Sequence, residues 1–66
     1  MEETIGVVAG KIWHYLSSHE KVDAVKIKFH LKISNSTLFM ALGWLARENK
    51  IKMNQEKDVL FVSLVK

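Results

Sequence analysis

Apolar residues recur at intervals of three or four through the first third of the chain. The repeat comprises Ile5, Val8, Ala9, Ile12 and Leu16. Such spacing places these side chains on one face of an α-helix. We therefore expect a first helix over residues 3–18, with Glu2 and Glu3 at its start, where the helix dipole favours anions.

Two shorter helical patterns follow, separated by only a few residues. Asp23 is a suitable N-cap for a second helix over residues 24–31, and Ser34 is a suitable N-cap for a third helix that ends before Ile51. The inner faces comprise Ala24, Ile27 and Leu31 in the second helix, and Leu38, Ala41, Leu42 and Leu45 in the third. This close succession is typical of a helix–turn–helix junction.

The C-terminal third of the chain has the pattern of a β-hairpin. Residues 51–54 and 59–64 are expected to form two strands around a turn at residues 55–58, and Lys21-Val22 could form a very short strand. The second hairpin strand is apolar on both faces, so the first helix or a partner must cover the face that the core does not. The order of elements predicts an α+β, mainly α fold. We expect a winged helix-turn-helix of three helices plus a C-terminal β-hairpin wing, forming one domain over residues 1–66.

The outer face of the third helix carries apolar and small residues with a single cation. Two interpretations remain open for this face. It forms a protein interface with Trp44 as its anchor, or Trp44 packs within the core of the same chain. The same alternatives apply to a glycine pair and a tryptophan on the first helix, which seat a helix either from this chain or from a partner. The candidate interface residues are Gly6, Gly10, Trp13, Phe39, Met40, Gly43 and Trp44.

Charge and composition add a second candidate surface. The net charge is +3, and the lysines lie on either side of the third helix rather than on it. A mildly basic protein of this fold is compatible with double-stranded DNA. Candidate base contacts are Asn35, Ser36, Thr37 and Arg47, and candidate phosphate contacts are Lys26, Lys28, Lys32, Lys52 and Lys57. The alternative is that the polar residues only cap the helix and the lysines only confer solubility.

Several classes of function are disfavoured. The chain has no cysteine, so it has no disulfide and no thiolate metal site. His14 and His19 are five residues apart and His30 stands alone, a poor spacing for metal ligands. No nucleophile–base pair or phosphate-binding loop is evident. We expect no enzymatic activity, no cofactor, no metal and no membrane span or signal peptide, and therefore a cytoplasmic location.

Two segments resemble a family of small stand-alone prokaryotic winged helix-turn-helix proteins of unknown function. The segments are Ile5-Gly6-x-x-Ala9-Gly10-x-Ile12-Trp13-x-x-Leu16 and Ala41-Leu42-Gly43-Trp44-Leu45-Ala46-Arg47-Glu48-x-Lys50-Ile51. The resemblance implies a winged-helix fold and a homodimer. The hydrophobic content of 48% in 66 residues also favours self-association. We therefore expect a transcription-associated DNA-binding homodimer. The alternative is an interaction module that binds another protein, or itself, through the third helix and does not bind DNA.

Overall fold

A computed structural model describes residues 4–65 as three α-helices and a three-stranded antiparallel sheet. The elements in chain order are α1 Ile5–Leu16, β1 Val22–Asp23, α2 Ala24–Leu31, α3 Asn35–Arg47, β2 Ile51–Glu56 and β3 Val59–Leu64. The strands lie in the order β1-β3-β2, so β3 is central and β2 forms an edge. The mainly helical winged helix-turn-helix fold expected from the sequence is confirmed.

The first helix is shorter than expected at both ends. Thr4 is its N-cap, and the Thr4 hydroxyl accepts a hydrogen bond of 3.2 Å from the backbone N–H of Val7. The helix ends at Leu16, and Ser17 forms its C-cap. The prediction of residues 3–18 was therefore wrong at its boundaries, and at the N-terminal end the cause is that the Thr4 cap was overlooked. Glu2 and Glu3 lie outside the described residues.

The helix–turn–helix is bounded by the caps that the sequence predicts. The Asp23 carboxylate accepts a bond of 2.9 Å from the Val25 backbone N–H, and α2 spans the expected residues 24–31. Lys32 then adopts the left-handed conformation, with φ of 56°, and ends the helix. The Ser34 hydroxyl accepts a bond of 3.2 Å from the Thr37 N–H at the start of α3. These caps satisfy N–H groups that a helix cannot satisfy internally.

Replacing Ser34 with alanine should lower the free energy of unfolding by about 1 kcal/mol, because α3 loses its cap. Urea denaturation followed by circular dichroism measures this change. Ser36→Ala is the matched control, since it leaves the bond from the Thr37 N–H to Ser34 intact. Equal losses in the two variants would contradict the assignment of Ser34 as the cap.

The sheet differs from expectation in its strand ends. The short strand occupies Val22–Asp23, one residue later than the expected Lys21-Val22. Strand β2 continues to Glu56, so the turn of the wing contains only Lys57 and Asp58. Lys57 has φ of 58°, a conformation suited to a two-residue hairpin turn. The predicted strand over residues 51–54 was therefore too short, and the predicted turn over residues 55–58 was too long. Strand β3 spans residues 59–64 as expected.

A single apolar core lies between the helices and one face of the sheet. Its buried members are Val8, Ala9, Ile12, Leu16, Val22, Ala24, Ile27, Leu38, Ala41, Leu42, Leu45, Ile51 and Val62. Leu60 and Leu64 of β3 pack against this cluster. Successive side chains of a strand point to opposite faces of the sheet, so Phe61 points away from the core. Phe61 lies on the opposite face, where the Lys21 ammonium is 4.4 Å from its ring centroid. The Lys21 side chain thus lies over Phe61 on the second face of β3.

Candidate functional site

The first turn of α3 holds three of the four residues predicted to contact bases, and only one of these three side chains makes no hydrogen bond within the described residues. The Ser34 hydroxyl lies 3.2 Å from the Ser36 hydroxyl and 3.0 Å from the Thr37 hydroxyl, so both take part in the capping network. Asn35 is exposed, and its amide makes no hydrogen bond to any residue between 4 and 65. The free hydrogen-bonding capacity at this helix end therefore resides in the Asn35 amide.

A groove of about 320 Å³ brings α3, the start of α2 and the wing together. Asn35 and Phe39 of α3, Val25 of α2, and Gln55 and Asp58 of the wing line it. Two side-chain amides, from Asn35 and Gln55, thus face one space. Amides of this kind can form two hydrogen bonds to the edge of an adenine. We call this space the amide groove.

Gln55 was not predicted as a site residue, because its position was expected to lie in the turn of the wing. The signal that could have found it is the alternation along β2. Gln55 lies two residues beyond Met53 and four beyond the buried Ile51, and therefore on the same face of the sheet. Residues on that face are directed towards the helices, since Ile51 belongs to the core.

Two carboxylates also line the amide groove. Asp23 is committed to capping α2 through its bond to the Val25 N–H, and Asp58 lies at the turn of the wing. A phosphate in the middle of the groove would be repelled by both. Any phosphates must therefore be bound at its margins, where cations are found.

Three of the predicted phosphate contacts lie on or next to α2, and one lies at the tip of the wing. Lys26, Lys32 and Lys57 are exposed, whereas Lys28 is half-buried and its ammonium lies 5.4 Å from the Phe29 ring centroid. Within residues 4–65, none of these four lysines makes an ion pair. They are therefore available to an anionic partner.

Two predicted cations lie away from this group. Lys52 follows the buried Ile51 along β2, so it is on the outer face of the sheet, away from the core. Arg47 is the last residue of α3, and Asn35 is the first. At 1.5 Å per residue these ends are roughly 18 Å apart. The structure therefore does not bring Lys52 or Arg47 to the amide groove.

Two apolar side chains on the outer face of α3 lie in two separate grooves. Phe39 lines the amide groove, whereas Trp44 lines a second groove, of about 260 Å³, between α1 and α3. Gly6, Gly10 and Trp13 of α1 line that second groove. Trp13 is 45% exposed and Trp44 is 54% exposed, so neither belongs to the buried core. The interpretation in which Trp44 packs within the monomer core is wrong.

Four of the predicted interface residues thus meet in one groove, and Met40 and Gly43 are exposed beside Trp44 on α3. We call this set the two-tryptophan surface. It consists of Gly6, Gly10, Trp13, Met40, Gly43 and Trp44.

The glycines of the chain all lie on this surface, and the described chain makes no use of their small size. A Cβ atom placed on Gly6, Gly10 or Gly43 would meet nothing within 4 Å. None of the three has a positive φ, so the backbone does not require glycine either. The alternative in which Gly6 and Gly10 seat another helix of the same chain is therefore wrong.

The histidines, which are dispersed in the sequence, converge at a cavity between α1 and α2. This cavity of about 640 Å³ is lined by His14, His19 and His30. The Tyr15 ring lies 4.3 Å from the His19 ring centroid and 4.5 Å from that of His30. In the described part of the chain, no three histidine or acidic side chains are arranged to hold one metal ion.

The described residues include no helix that is long and apolar enough to cross a membrane.

The α2–α3 junction and the β2–β3 hairpin together define a winged helix-turn-helix protein. The chain belongs to the family described as winged helix-turn-helix domain (DUF2582), which it matches over residues 1–64. This confirms the resemblance found in the sequence. An uncharacterized protein of Methanocaldococcus jannaschii, MJ1608, is 45% identical over 49 residues, which cover 71% of this chain and 70% of that protein.

Solved structures share the fold. Protein BT2368 of Bacteroides thetaiotaomicron superposes with a TM-score of 0.80 at 28% identity, over 91% of this chain and 73% of that one. ZitR of Lactococcus lactis superposes with a TM-score of 0.82 at 25% identity, over 94% of this chain and 48% of that one. The Zalpha domain of PKZ from Carassius auratus, solved in complex with Z-DNA, gives a TM-score of 0.80 at 24% identity, over 96% of this chain and 100% of that one.

Proposed function

We propose that the protein is a non-enzymatic, cytoplasmic DNA-binding module that acts as a homodimer. The observation that carries this proposal is the amide groove, in which the free Asn35 amide at the start of α3 meets Gln55 of the wing. Lysines without ion pairs to described residues lie on α2 and at the tip of the wing. This arrangement combines base-reading and phosphate-binding groups at one end of the molecule.

In this proposal the first turn of α3 enters the major groove of a DNA duplex. The Asn35 and Gln55 amides contact base edges, and adenine is their preferred partner. Lys26 and Lys32 contact phosphates on one side, and Lys57 contacts phosphates on the side of the wing. The solved complex of the Zalpha domain with Z-DNA supports the proposal only at the level of the fold, because that protein binds nucleic acid on the same scaffold.

Charge reversal at Lys26 tests the proposal. Lys26→Glu should weaken binding to a fluorescein-labelled duplex of mixed sequence on the order of tenfold at low salt, because a phosphate contact becomes a repulsion. Fluorescence anisotropy measures the dissociation constant. Lys11→Glu is the matched control, since Lys11 is an exposed helical lysine that lies away from the amide groove. Absence of binding by the wild type, or equal weakening in both variants, would refute the proposal.

A second candidate function is a protein-interaction module that does not bind DNA. The exposure of Trp44 favours it, since a half-exposed tryptophan is a common anchor of protein interfaces. Under this alternative, Trp44→Glu abolishes association while no duplex binds at any salt concentration. Duplex binding that survives Trp44→Glu would exclude it.

A further inference from the structure

The three glycines lower the stability of the helices that contain them, and no contact within the described residues explains why glycine occupies these positions. Glycine within a helix is about 1 kcal/mol less favourable than alanine. Gly10 and Gly43 lie inside α1 and α3, and Gly6 lies in the first turn of α1. Neither backbone conformation nor internal packing requires glycine at these positions. A partner whose atoms approach the two helices closely would require it.

We propose that the two-tryptophan surface is the interface with a second copy of this chain, related by a twofold axis. The inference rests on the proposed homodimer and names the surface that forms it. In such an interface the same surface is used by both copies and must be complementary to itself. The protruding rings of one copy, Trp13 and Trp44, would pack over the bare helix backbone at the glycines of the other.

The surface has the shape that this arrangement needs. It carries protrusions and hollows side by side, since Trp13 and Trp44 border the same groove as Gly6 and Gly10. A surface with only protrusions or only hollows would require a different partner. Self-packing therefore explains the tryptophans and the glycines together.

The charge of the surface is also compatible with a second copy. Each of its six members is uncharged, and Lys50 is the only charged residue among the described residues that line the groove. A twofold axis places identical groups near one another, so a charged centre would repel itself. A lysine at the margin can keep its ammonium group in water.

The chain exposes enough surface area to form a stable interface with a second copy. A stable interface buries roughly 800 Å² on each partner, about a sixth of the 4890 Å² that the chain exposes. Trp13, Met40 and Trp44 are each about half exposed. A tryptophan can bury up to roughly 250 Å² in total, so the exposed halves of Trp13 and Trp44 can each add up to roughly 125 Å² to the apolar centre of an interface of that size.

This interface leaves the proposed DNA-binding groups free. The groove of the two-tryptophan surface and the amide groove share no lining residue. Trp44 lies in the last part of α3, whereas Asn35 is its first residue. A dimer could therefore present two amide grooves, one from each copy.

Substitution of the glycines distinguishes this interface from all others. Gly10→Gln and Gly43→Gln should each convert the dimer to a monomer and raise its dissociation constant at least 100-fold, because the added side chain fills the space of the partner's ring. The same substitutions should leave the monomer folded, and at least as heat-stable, since a Cβ there meets nothing. Sedimentation equilibrium from 5 to 200 μM measures association, and circular dichroism measures folding. His14→Gln, at an exposed position of α1, is the matched control and should remain dimeric.

The glycine variants and the Lys26→Glu variant test the dimer interface and DNA binding independently. A wild-type monomer throughout the concentration range, or glycine variants that remain dimeric, would overturn the interface. Neither result would affect the Lys26→Glu experiment, which reports on the amide groove alone. Loss of DNA binding by Lys26→Glu with the dimer intact would leave the interface standing. Trp44→Lys provides a second variant and should also give a folded monomer.

Discussion

Truncation of Leu42 to alanine should lower the free energy of unfolding at 25 °C by about 2–5 kcal/mol. Leu42 is 1% exposed, at the centre of the inner face of α3. Removing a buried leucine side chain costs about 2–5 kcal/mol through lost apolar burial and the cavity left behind. A chain of 66 residues has a total stability of roughly 3–10 kcal/mol. The loss is therefore roughly half of the whole stability of the fold.

Urea denaturation, followed by tryptophan fluorescence and by circular dichroism, measures this loss. Met53→Ala is the control, because it also shortens an apolar side chain, but one that is 42% exposed. That variant should change the free energy of unfolding by less than about 1 kcal/mol. If Leu42→Ala were no more destabilising than Met53→Ala, the assignment of α3's buried face would be wrong.

The sequence predicts the fold well because its signals are local. Asp23 and Ser34 cap helices through bonds to N–H groups two and three residues away, so their spacing alone identifies the helix starts. The inner faces of α2 and α3 follow from a period of three to four residues. The errors have local causes as well. The hydroxyl of Thr4 was overlooked, and a lysine in the left-handed conformation, Lys57, permits a tighter turn than its residue type suggests.

The candidate sites were only partly predictable because they depend on contacts between distant segments. The sequence grouped Phe39 with Trp44 as one apolar face of the third helix. In the structure the wing meets α3 at Phe39 and α1 meets it at Trp44, which divides that face. The spacing of residues within one helix cannot show where other segments of the chain pack against it. The meeting of Asn35 with Gln55, and of His19 with His30 across Tyr15, likewise depends on tertiary packing.

The small number of cations on the outer face of α3 bears differently on DNA binding once that face is divided between two grooves. Lys26, Lys32 and Lys57, which lack ion pairs to described residues, lie on α2, at its end and on the wing, whereas Arg47 lies at the far end of α3 from Asn35. Only the Asn35 end of the helix needs to contact DNA in the proposed arrangement. The apolar half belongs to the two-tryptophan surface and has a separate explanation. The two proposals therefore account for different parts of one helix.

The salt dependence of DNA affinity should reveal how many lysines contact phosphates. Each contact releases counterions, so the logarithm of the association constant falls with the logarithm of salt concentration, with a slope of about −0.9 per contact. For each copy that contacts the DNA, Lys26, Lys32 and Lys57 alone would lower the affinity roughly 40-fold between 50 and 200 mM salt, whereas all five predicted lysines would lower it roughly 500-fold. Anisotropy titrations at four salt concentrations distinguish these cases.

A triple variant assigns that slope to particular residues without disturbing the fold. Lys26→Gln removes a charge from an exposed helical position, and Lys32→Asn and Lys57→Asn remove charges where φ is 56° and 58°. Asparagine adopts this left-handed conformation readily, so the backbone should be preserved. The variant should reduce the magnitude of the slope by about three for each copy that contacts the DNA and make binding nearly independent of salt. Lys52→Gln serves as the control, since the outer face of the sheet lies away from the amide groove. A slope that changes in Lys52→Gln but not in the triple variant would place the DNA on the opposite side of the wing.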